Sequence, residues 1–513
     1  MMTIDNLPTQ LPADASEYFG NALVPLLDEY LRNPNGDTCF SRSAICRNGE
    51  IVPEFKSFLE PIIEKVQSKN IVIFGASLVS RPVIEYLAQF PEYHLHVLTK
   101  HPDQVHNSSQ NVTVIEDEVF ENQVSKRALS LIQTADLVIS LLPAFMHKFI
   151  LEPVANSKKP LITASYVSKE MEAFNEQLKR DNVLWLNEVG LDPGLDHMSA
   201  MRLIDHVKRN EHEYGRVESF VSWCGGLPAP QYASNPLGYK FSWSPKGVLM
   251  ALKNPARYLA DGQTVNISNV LSTARPVSLH PAFAFEGYPN RDSLTYVDKY
   301  GLDPKSLKTM FRGTLRFTGF AQFMEGMAAL GFFDDAKMSN RHFKTWREAF
   351  MDSLGVQVPS TAKDEDLTRL INGKLPDWPI EKCQDFVNQL KDLHMLSDEY
   401  PFTSSRLDSL VDYLSRKLTL TGTEQDLVFM HHSVKTTNKH QFTSTLVVTG
   451  SGQHSAMSVT VGLPVAVASR LLLDGRFSSL SGVQIPTRPS VYEPILEELS
   501  KLGITFAESS RQY

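Results

Sequence analysis

Between Asn70 and Val189 the chain alternates short apolar runs with amphipathic stretches. Asn70–Phe74 (NIVIF), His94–Leu98, Asp136–Leu141 (DLVISL), Pro160–Ala164 and Val183–Leu186 are brief and rich in β-branched residues, and each is read as a buried strand. After the first run, Val83, Ile84, Leu87 and Phe90 recur at helical spacing. Strands alternating with helices predict an α/β domain with a parallel sheet. Farther along, a helix is expected from Leu195 through Met198, Met201 and Ile204, then strands near Ser219–Trp223 and Val265–Asn269. Residues 335–425 read as helical, with Phe350, Leu354, Leu370, Phe386, Leu390 and Leu410 as core positions. Val428–Met430, Thr443–Val448 and Met457–Val461 are expected strands, with a hairpin turn over Lys435–His440, and a last helix lies near Val491–Leu502. Ahead of Lys69, Ser16–Leu31 predicts a helix with Phe19, Leu23, Leu26 and Leu27 on one side, and Ala44–Ile51 a strand and turn around Asn48-Gly49.

Composition narrows the class. The 513 residues suit about three domains as a soft prior, and 42% hydrophobic residues are ordinary for a globular protein. A net charge of -8 without a basic block argues against nucleic acid as a partner. No run is read as reaching the ~18 apolar residues of a membrane span. Cys39, Cys46, Cys224 and Cys383 are few and scattered, which fits a reducing compartment. With neither a CxxC pair nor an HExxH run, no zinc site is expected. The first 20 residues carry no Arg-rich amphipathic presequence.

The candidate chemistry gathers in turns. Asn187–His197, NEVGLDPGLDH, packs Gly190, Pro193, Gly194 and the carboxylates Glu188, Asp192 and Asp196 between a strand and a helix. The glycines permit a tight backbone and close approach of a ligand, and Asp192, preceding Pro193, is biased to extended conformation. Two readings stand: a ligand-binding turn, or a simple cap in which Asp192 or Asp196 closes the helix. The first expected strand runs into Gly75-Ala76-Ser77-Leu78-Val79-Ser80-Arg81-Pro82 and a helix. Such a unit can hold a pyrophosphate on helix N-terminal amides, though alone it is equally a structural turn. The second strand ends in Thr99-Lys100. An acid there would bond ribose hydroxyls, whereas a cation suits a 2′-phosphate; Lys100 is also readable as a solvated surface lysine.

Taken with Cys224–Leu249 (CGGLPAPQYASNPLGYKFSWSPKGVL), Ile162–Tyr166 (ITASY), Glu286–Ser293 (EGYPNRDS), Arg312–Phe320 (RGTLRFTGF) and Ser455–Gly475 (SAMSVTVGLPVAVASRLLLDG), the NEVGLDPGLDH run resembles the saccharopine dehydrogenase (glutamate-forming) family. The likeness covers most of residues 15–513 and is weakest between about Asp335 and Asp426. It implies an α/β protein with a Rossmann-like dinucleotide-binding domain over 69–192 plus about 481–513. An α/β substrate-binding and dimerisation domain with a mixed sheet would cover 193–334 plus about 426–480, with a helical insertion over 335–425. Residues 1–68 resemble the linker between the two halves of bifunctional members. A chain cut from a longer polypeptide, natively fused to a lysine-ketoglutarate reductase domain, is therefore expected; the alternative is a free-standing enzyme with an N-terminal docking segment.

The resemblance implies NAD(P)-dependent oxidation of saccharopine, with water, to L-glutamate and 2-aminoadipate 6-semialdehyde in lysine degradation. A homodimer in the mitochondrial matrix, or otherwise the cytoplasm, would carry it out. NAD is implied by the closer members and NADP by Lys100. The family's loop reads G-x-G-x-x-x-x-P, and Ser77 stands at its second glycine. Cofactor contacts are implied for Gly75, Ala76, Ser77, Leu78 and Val79, for Thr99, Lys100 and Gln104, for Leu142 and Pro143, and for Ala164, Ser165, Leu191, Asp192 and Pro193. Substrate contacts are implied for Ser165, Tyr166, Asp192, Arg291, Thr314, Leu315 and Arg316. The two arginines are suited to bidentate pairing with substrate carboxylates, or are structural ion pairs. Asp192 is the candidate general base, with Tyr166 and Cys224 as catalytic neighbours. Cys224 is alternatively inert packing, and His197 a helix-end hydrogen-bonding group. A non-catalytic or regulatory member, or an oxidoreductase for another imino acid, remains the competing reading.

Overall fold

The computed structural model describes residues 46–47, 50–51, 68–105, 109–117, 124–336, 343–356, 363–397, 402 and 405–513. Cys46–Arg47 and Glu50–Ile51 pair antiparallel, and the turn expected at Asn48-Gly49 lies outside the described residues. The expected helix over Ser16–Leu31 lies outside the described residues. Lys69–Tyr513 forms one compact unit.

Its first sheet contains β1 (Lys69–Phe74), β2 (Tyr93–Thr99), β3 (Val112–Glu116), β4 (Leu137–Ser140), β5 (Leu161–Thr163) and β6 (Leu184–Leu186). All pair in parallel, in the order β3-β2-β1-β4-β5-β6, and a late strand, Gly482–Gln484, adds beside β6. The apolar runs are continuous rather than alternating because both faces are covered. Ile71, Ile73, Leu137 and Ile139 enter one core, and Val72, Phe74 and Val138 another.

The second sheet is mixed. It is built on β7 (Val217–Pro228), β8 (Ala256–Ala260), β9 (Gln263–Ile267), β10 (Arg275–Val277), β11 (Phe285–Pro289), β12 (Thr309–Phe317), β13 (Asp426–Thr436), β14 (His440–Thr449) and β15 (Ala507–Gln512). The main order is β9-β8-β12-β7-β13-β14-β15, with β11 pairing to β12 and β10 to β11. β12 and β7 run parallel; β13 is antiparallel to both β7 and β14. The turn expected over Lys435–His440 joins β13 to β14, with Lys439 at φ 63. In the 335–425 segment, helices at Trp346–Leu354, Asp364–Lys374, Ile380–Asp392 and Arg406–Leu418 bury Phe350, Phe386, Leu390 and Leu410 in a separate core.

Two expectations are corrected. Met457–Val461 begins a helix, Ala456–Leu473, not a strand. Ser455 caps it by accepting from the Ser458 amide, and the helix is buried nearly all round, so it lacks an amphipathic period to betray it. Its length and composition also satisfy those of a membrane span, but most of it lies inside the fold against both sheets, as a core helix does. The chain's tail does not return wholly to the first sheet: Gly482–Gln484 does, whereas β15 pairs with β14 at the edge of the second. The helix between them, Pro489–Lys501, packs on Leu195–Arg209 and Ala456–Leu473.

Candidate active site

The strand order reverses between β1 and β4, which opens a crevice at their C-terminal ends. Gly75, at φ 93, starts the loop there; a Cβ would stand 3.1 Å from the Leu141 carbonyl oxygen, so the turn requires glycine. Ser77 donates its amide to Ser80 Oγ at 2.9 Å, and that hydroxyl donates back to the Ser77 carbonyl at 2.7 Å. The serine at the family's glycine position therefore sits in a closed turn, with Ser77 and Leu78 exposed on the rim beside Ala76 and Val79. Thr99 is buried and its hydroxyl accepts from the His101 amide, while Lys100 and Gln104 are exposed beyond β2. Leu142 and Pro143 follow β4, Ala164, Ser165 and Tyr166 follow β5, and Leu191, Asp192 and Pro193 follow β6. The residues expected to hold a dinucleotide thus converge on one sheet edge, with a cation and no acid directly after β2. This arrangement fits NAD(P).

The Asn187–His197 turn closes on itself. Gly194 has φ 149, and a Cβ on it would fall 2.0 Å from the Gly190 carbonyl oxygen. The N-cap position of the helix is Gly194, not either aspartate, and no side chain caps it; Asp196 sits in the first turn, where its Oδ1 accepts from the Gly194 amide at 2.5 Å. Its other oxygen accepts from Arg312 Nη2 at 2.6 Å, and the same nitrogen donates to Asp192 Oδ1 at 2.7 Å. The Tyr166 hydroxyl donates to Asp192 Oδ1 at 2.8 Å. Among the described residues Asp192 Oδ2 takes no hydrogen bond and stays available. Arg312 is buried, with its guanidinium 4.1 Å from the Tyr296 ring centroid. Burial, then the charge of Asp192, pushes both the Tyr166 phenol and the Cys224 thiol up. Both stay protonated near neutral pH, which makes Cys224 a poor nucleophile.

A buried support lies behind this group. His197 Nε2 is 2.7 Å from Glu188 Oε2, and its Nδ1 is 2.8 Å from the Tyr300 hydroxyl. Glu188, at φ 58, also accepts from the Val167 amide at 3.1 Å and lies 3.4 Å from Lys299 Nζ. Burial alone would raise its carboxyl, but His197, Lys299 and the amide override that and hold it at about 2, below its ordinary 4.5. A depressed acid contributes stability above its unfolded pKa and loses it as pH falls through the folded one. Glu188→Gln is therefore expected to cost up to about 3 kcal/mol near neutral pH. Urea titrations should show the gap to wild type narrowing as pH drops from 4.5 toward 2; a gap of constant width would contradict the account.

On β12, alternation puts Arg312, Thr314 and Arg316 on one face and Gly313 and Leu315 on the other. Leu315, grouped with Thr314 and Arg316 by sequence, turns its side chain into the core with Trp223 and Phe285. A cleft is lined by Arg291, Thr314 and Arg316 together with Trp243, Asn254, Tyr288 and Asn290. Arg316 is buried, stacked 5.1 Å from the Tyr239 ring and 5.2 Å from Phe320. Its Nε has no hydrogen-bond partner among the described residues, and no carboxylate pairs with it there. Arg291 is exposed and lies 5.1 Å from the Tyr166 ring. The structural ion-pair reading therefore fits neither arginine and fits Arg312, which sequence reasoning passed over. The signal was present: Arg312 and Arg316 stand four residues apart on one strand face.

Two family descriptions match the chain: Saccharopine dehydrogenase NADP binding domain over residues 71–186, and Saccharopine dehydrogenase C-terminal domain over residues 190–504. The mitochondrial alpha-aminoadipic semialdehyde synthase of Rattus norvegicus is 34% identical over 540 residues, covering 99% of this chain and 57% of the relative. The chain thus spans a little over half the length of that relative. The NADP(+), L-glutamate-forming saccharopine dehydrogenase of Saccharomyces cerevisiae is 35% identical over 456 residues, covering 86% of this chain and 99% of the relative. An apo structure of the L-Glu-forming saccharopine dehydrogenase from Saccharomyces cerevisiae superposes with a TM-score of 0.75 at 32% identity, over 86% of this chain and 100% of that one. A parallel sheet with a dinucleotide crevice, a mixed sheet carrying buried arginines and matches along nearly the whole chain all agree, and the chain belongs to the saccharopine dehydrogenase family.

Proposed function

We propose that the chain is an NAD(P)-dependent saccharopine dehydrogenase, oxidising saccharopine with water to L-glutamate and 2-aminoadipate 6-semialdehyde. The observation that carries this reading is the Tyr166–Asp192–Arg312 group at the end of the parallel sheet, with Arg316 in the neighbouring cleft, where its Nη1 donates to the Leu315 carbonyl and its Nε has no partner among the described residues. A bound dinucleotide supplies the hydride acceptor. The substrate's bridging nitrogen is basic and must lose a proton before its carbon can give up a hydride. Asp192 Oδ2 is the oxygen left to accept it, while Tyr166 and Arg312 hold the carboxylate from the other side. Water then adds to the resulting imine, and the carbinolamine collapses to amine and aldehyde. Cys224 contributes shape beside the group rather than a covalent bond.

Arg316 and Arg291 take substrate carboxylates. Thr314 lines the same cleft, and Ser165 follows β5 at the crevice. Arg316→Met is expected to raise the saccharopine KM, by roughly 2–4 kcal/mol for a desolvated pair, with less effect on kcat. An unchanged KM would remove Arg316 from the substrate site. Arg291, being exposed, should cost less.

We assign 69–192 with Gly482–Gln484 to cofactor binding, 193–334 with 426–480 to substrate binding and pairing of two copies, and 335–425 to a helical insertion. We also propose a mitochondrial matrix location and native fusion to a reductase half; the mitochondrial alpha-aminoadipic semialdehyde synthases of Rattus norvegicus and Bos taurus, of which this chain spans 57%, support both. The test is absorbance of reduced nicotinamide on mixing the protein with saccharopine and NAD or NADP. Turnover preferring NADP makes Lys100 a phosphate ligand, and turnover with NAD alone makes it a bystander. No reduction with either would replace this reading with a non-catalytic one.

A further inference from the structure

We propose that His147 is a positioning residue for this reaction: it fixes the Ser165 hydroxyl as a hydrogen-bond donor to an acceptor oxygen of a bound ligand. His147 lies between β4 and the helix Lys148–Asn156 and is 2% exposed. Its Nδ1 is 2.8 Å from Ser140 Oγ and its Nε2 is 2.8 Å from Ser165 Oγ, with Thr163 Oγ1 farther off at 3.5 Å. Burial pushes the imidazole down to about 4, so at neutral pH it carries one N–H. Which nitrogen holds that proton decides what Ser165 offers.

Ser140 decides it. This residue is fully buried at the end of β4, and among the described residues its hydroxyl has His147 as its side-chain partner. If Nδ1 were protonated, the Ser140 proton would be left without an acceptor in the interior, at a cost of about 1–3 kcal/mol. With Ser140 donating to Nδ1 instead, Nε2–H donates to Ser165 Oγ. The Ser165 oxygen is then occupied as an acceptor, and its own proton points away from the ring. The backbone of Ser165 is pinned as well: its amide donates to Thr163 Oγ1 at 3.2 Å, and its carbonyl accepts from the Glu188 amide at 3.1 Å. Only the hydroxyl proton remains for a ligand at this sheet edge. A planar acceptor oxygen suits it, and the reaction brings two: the carboxamide of a nicotinamide and a carboxylate of the amino-acid substrate.

The proposal rests on the saccharopine-oxidising reading and is tested by two amide replacements. In His147→Asn the shorter amide reaches only the Nδ1 position, where its oxygen accepts from Ser140, and the link to Ser165 is lost. In His147→Gln the amide nitrogen takes the place of Nε2 and the link is kept. His147→Asn is expected to lower kcat/KM about tenfold or more, with His147→Gln within about threefold of wild type. In a Ser165→Ala background His147→Asn should add nothing. Equal damage from Asn and Gln, no damage from Asn, or damage that persists without Ser165 would each overturn the proposal. Titration of reduced dinucleotide alone, beside the saccharopine KM, separates the two acceptors: weakened dinucleotide binding assigns the carboxamide, a raised KM assigns the carboxylate, and neither overturns the idea. Should wild type turn over no saccharopine, the functional reading fails separately. The dinucleotide titration and the imidazole 15N shifts of His147 still judge the proposal then, a protonated Nε2 supporting it and a protonated Nδ1 refuting it.

Discussion

Replacing Arg312 with methionine is expected to destabilise the protein by about 3–5 kcal/mol and to abolish measurable turnover, because it leaves Asp192 and Asp196 without their shared cation. Methionine keeps much of the side-chain volume, so loss of packing is a small part of that cost. The effect follows from burial: the side chains of Arg312 and Asp196 are 3% and 1% exposed, and that of Asp192 is 17% exposed. Denaturant titration of Arg312→Met measures the loss, and adding Asp196→Asn should restore part of it by removing the buried charge that was orphaned. A double variant no more stable than the single one would mean that charge pairing is not what Arg312 supplies.

Asp192→Asn is expected to have the largest effect on rate with little effect on folding. The amide keeps the shape and can still accept through its oxygen from Tyr166 and Arg312, but it cannot take a proton from the substrate nitrogen. A fall in kcat of about 10²–10⁴ is expected. The variant should regain rate as pH rises, since free amine then forms in solution without the carboxylate. A variant within about threefold of wild type, or one that gains nothing at alkaline pH, would take the proton-accepting role away from Asp192.

Much of this was legible in the chain because the physics was local. Each strand of the parallel sheet is a short apolar run bounded by turn residues, and Gly75 and Gly194 announce turns that tolerate no side chain. Other features were hidden for identifiable reasons. Ala456–Leu473 is apolar on every side, so its sequence has no face to report. Leu315 was drawn into the site by its neighbours, although alternation along β12 points it away. Arg312 was quoted in a motif and yet left without a role, because its partners come from residues more than a hundred positions earlier. His147 has no motif at all; its meaning lies in Ser140 and Ser165, which three-dimensional folding brings to its two nitrogens.

The late strand Gly482–Gln484 bears on how the molecule is made. It completes the parallel sheet beside β6, yet it leaves the ribosome long after Leu186 does. The helix Ala456–Leu473, which packs on the helix Ser80–Leu87 and on β4 and β5, is equally late. During synthesis the nascent cofactor half therefore carries an open sheet edge and an uncovered apolar face, both of which invite association with other chains. A gene fragment ending after Asp192 would hold that state permanently. Dissecting this protein at its sequence boundaries should yield aggregation-prone pieces, whereas cleavage of the finished chain within 335–425 would leave the two late elements in place.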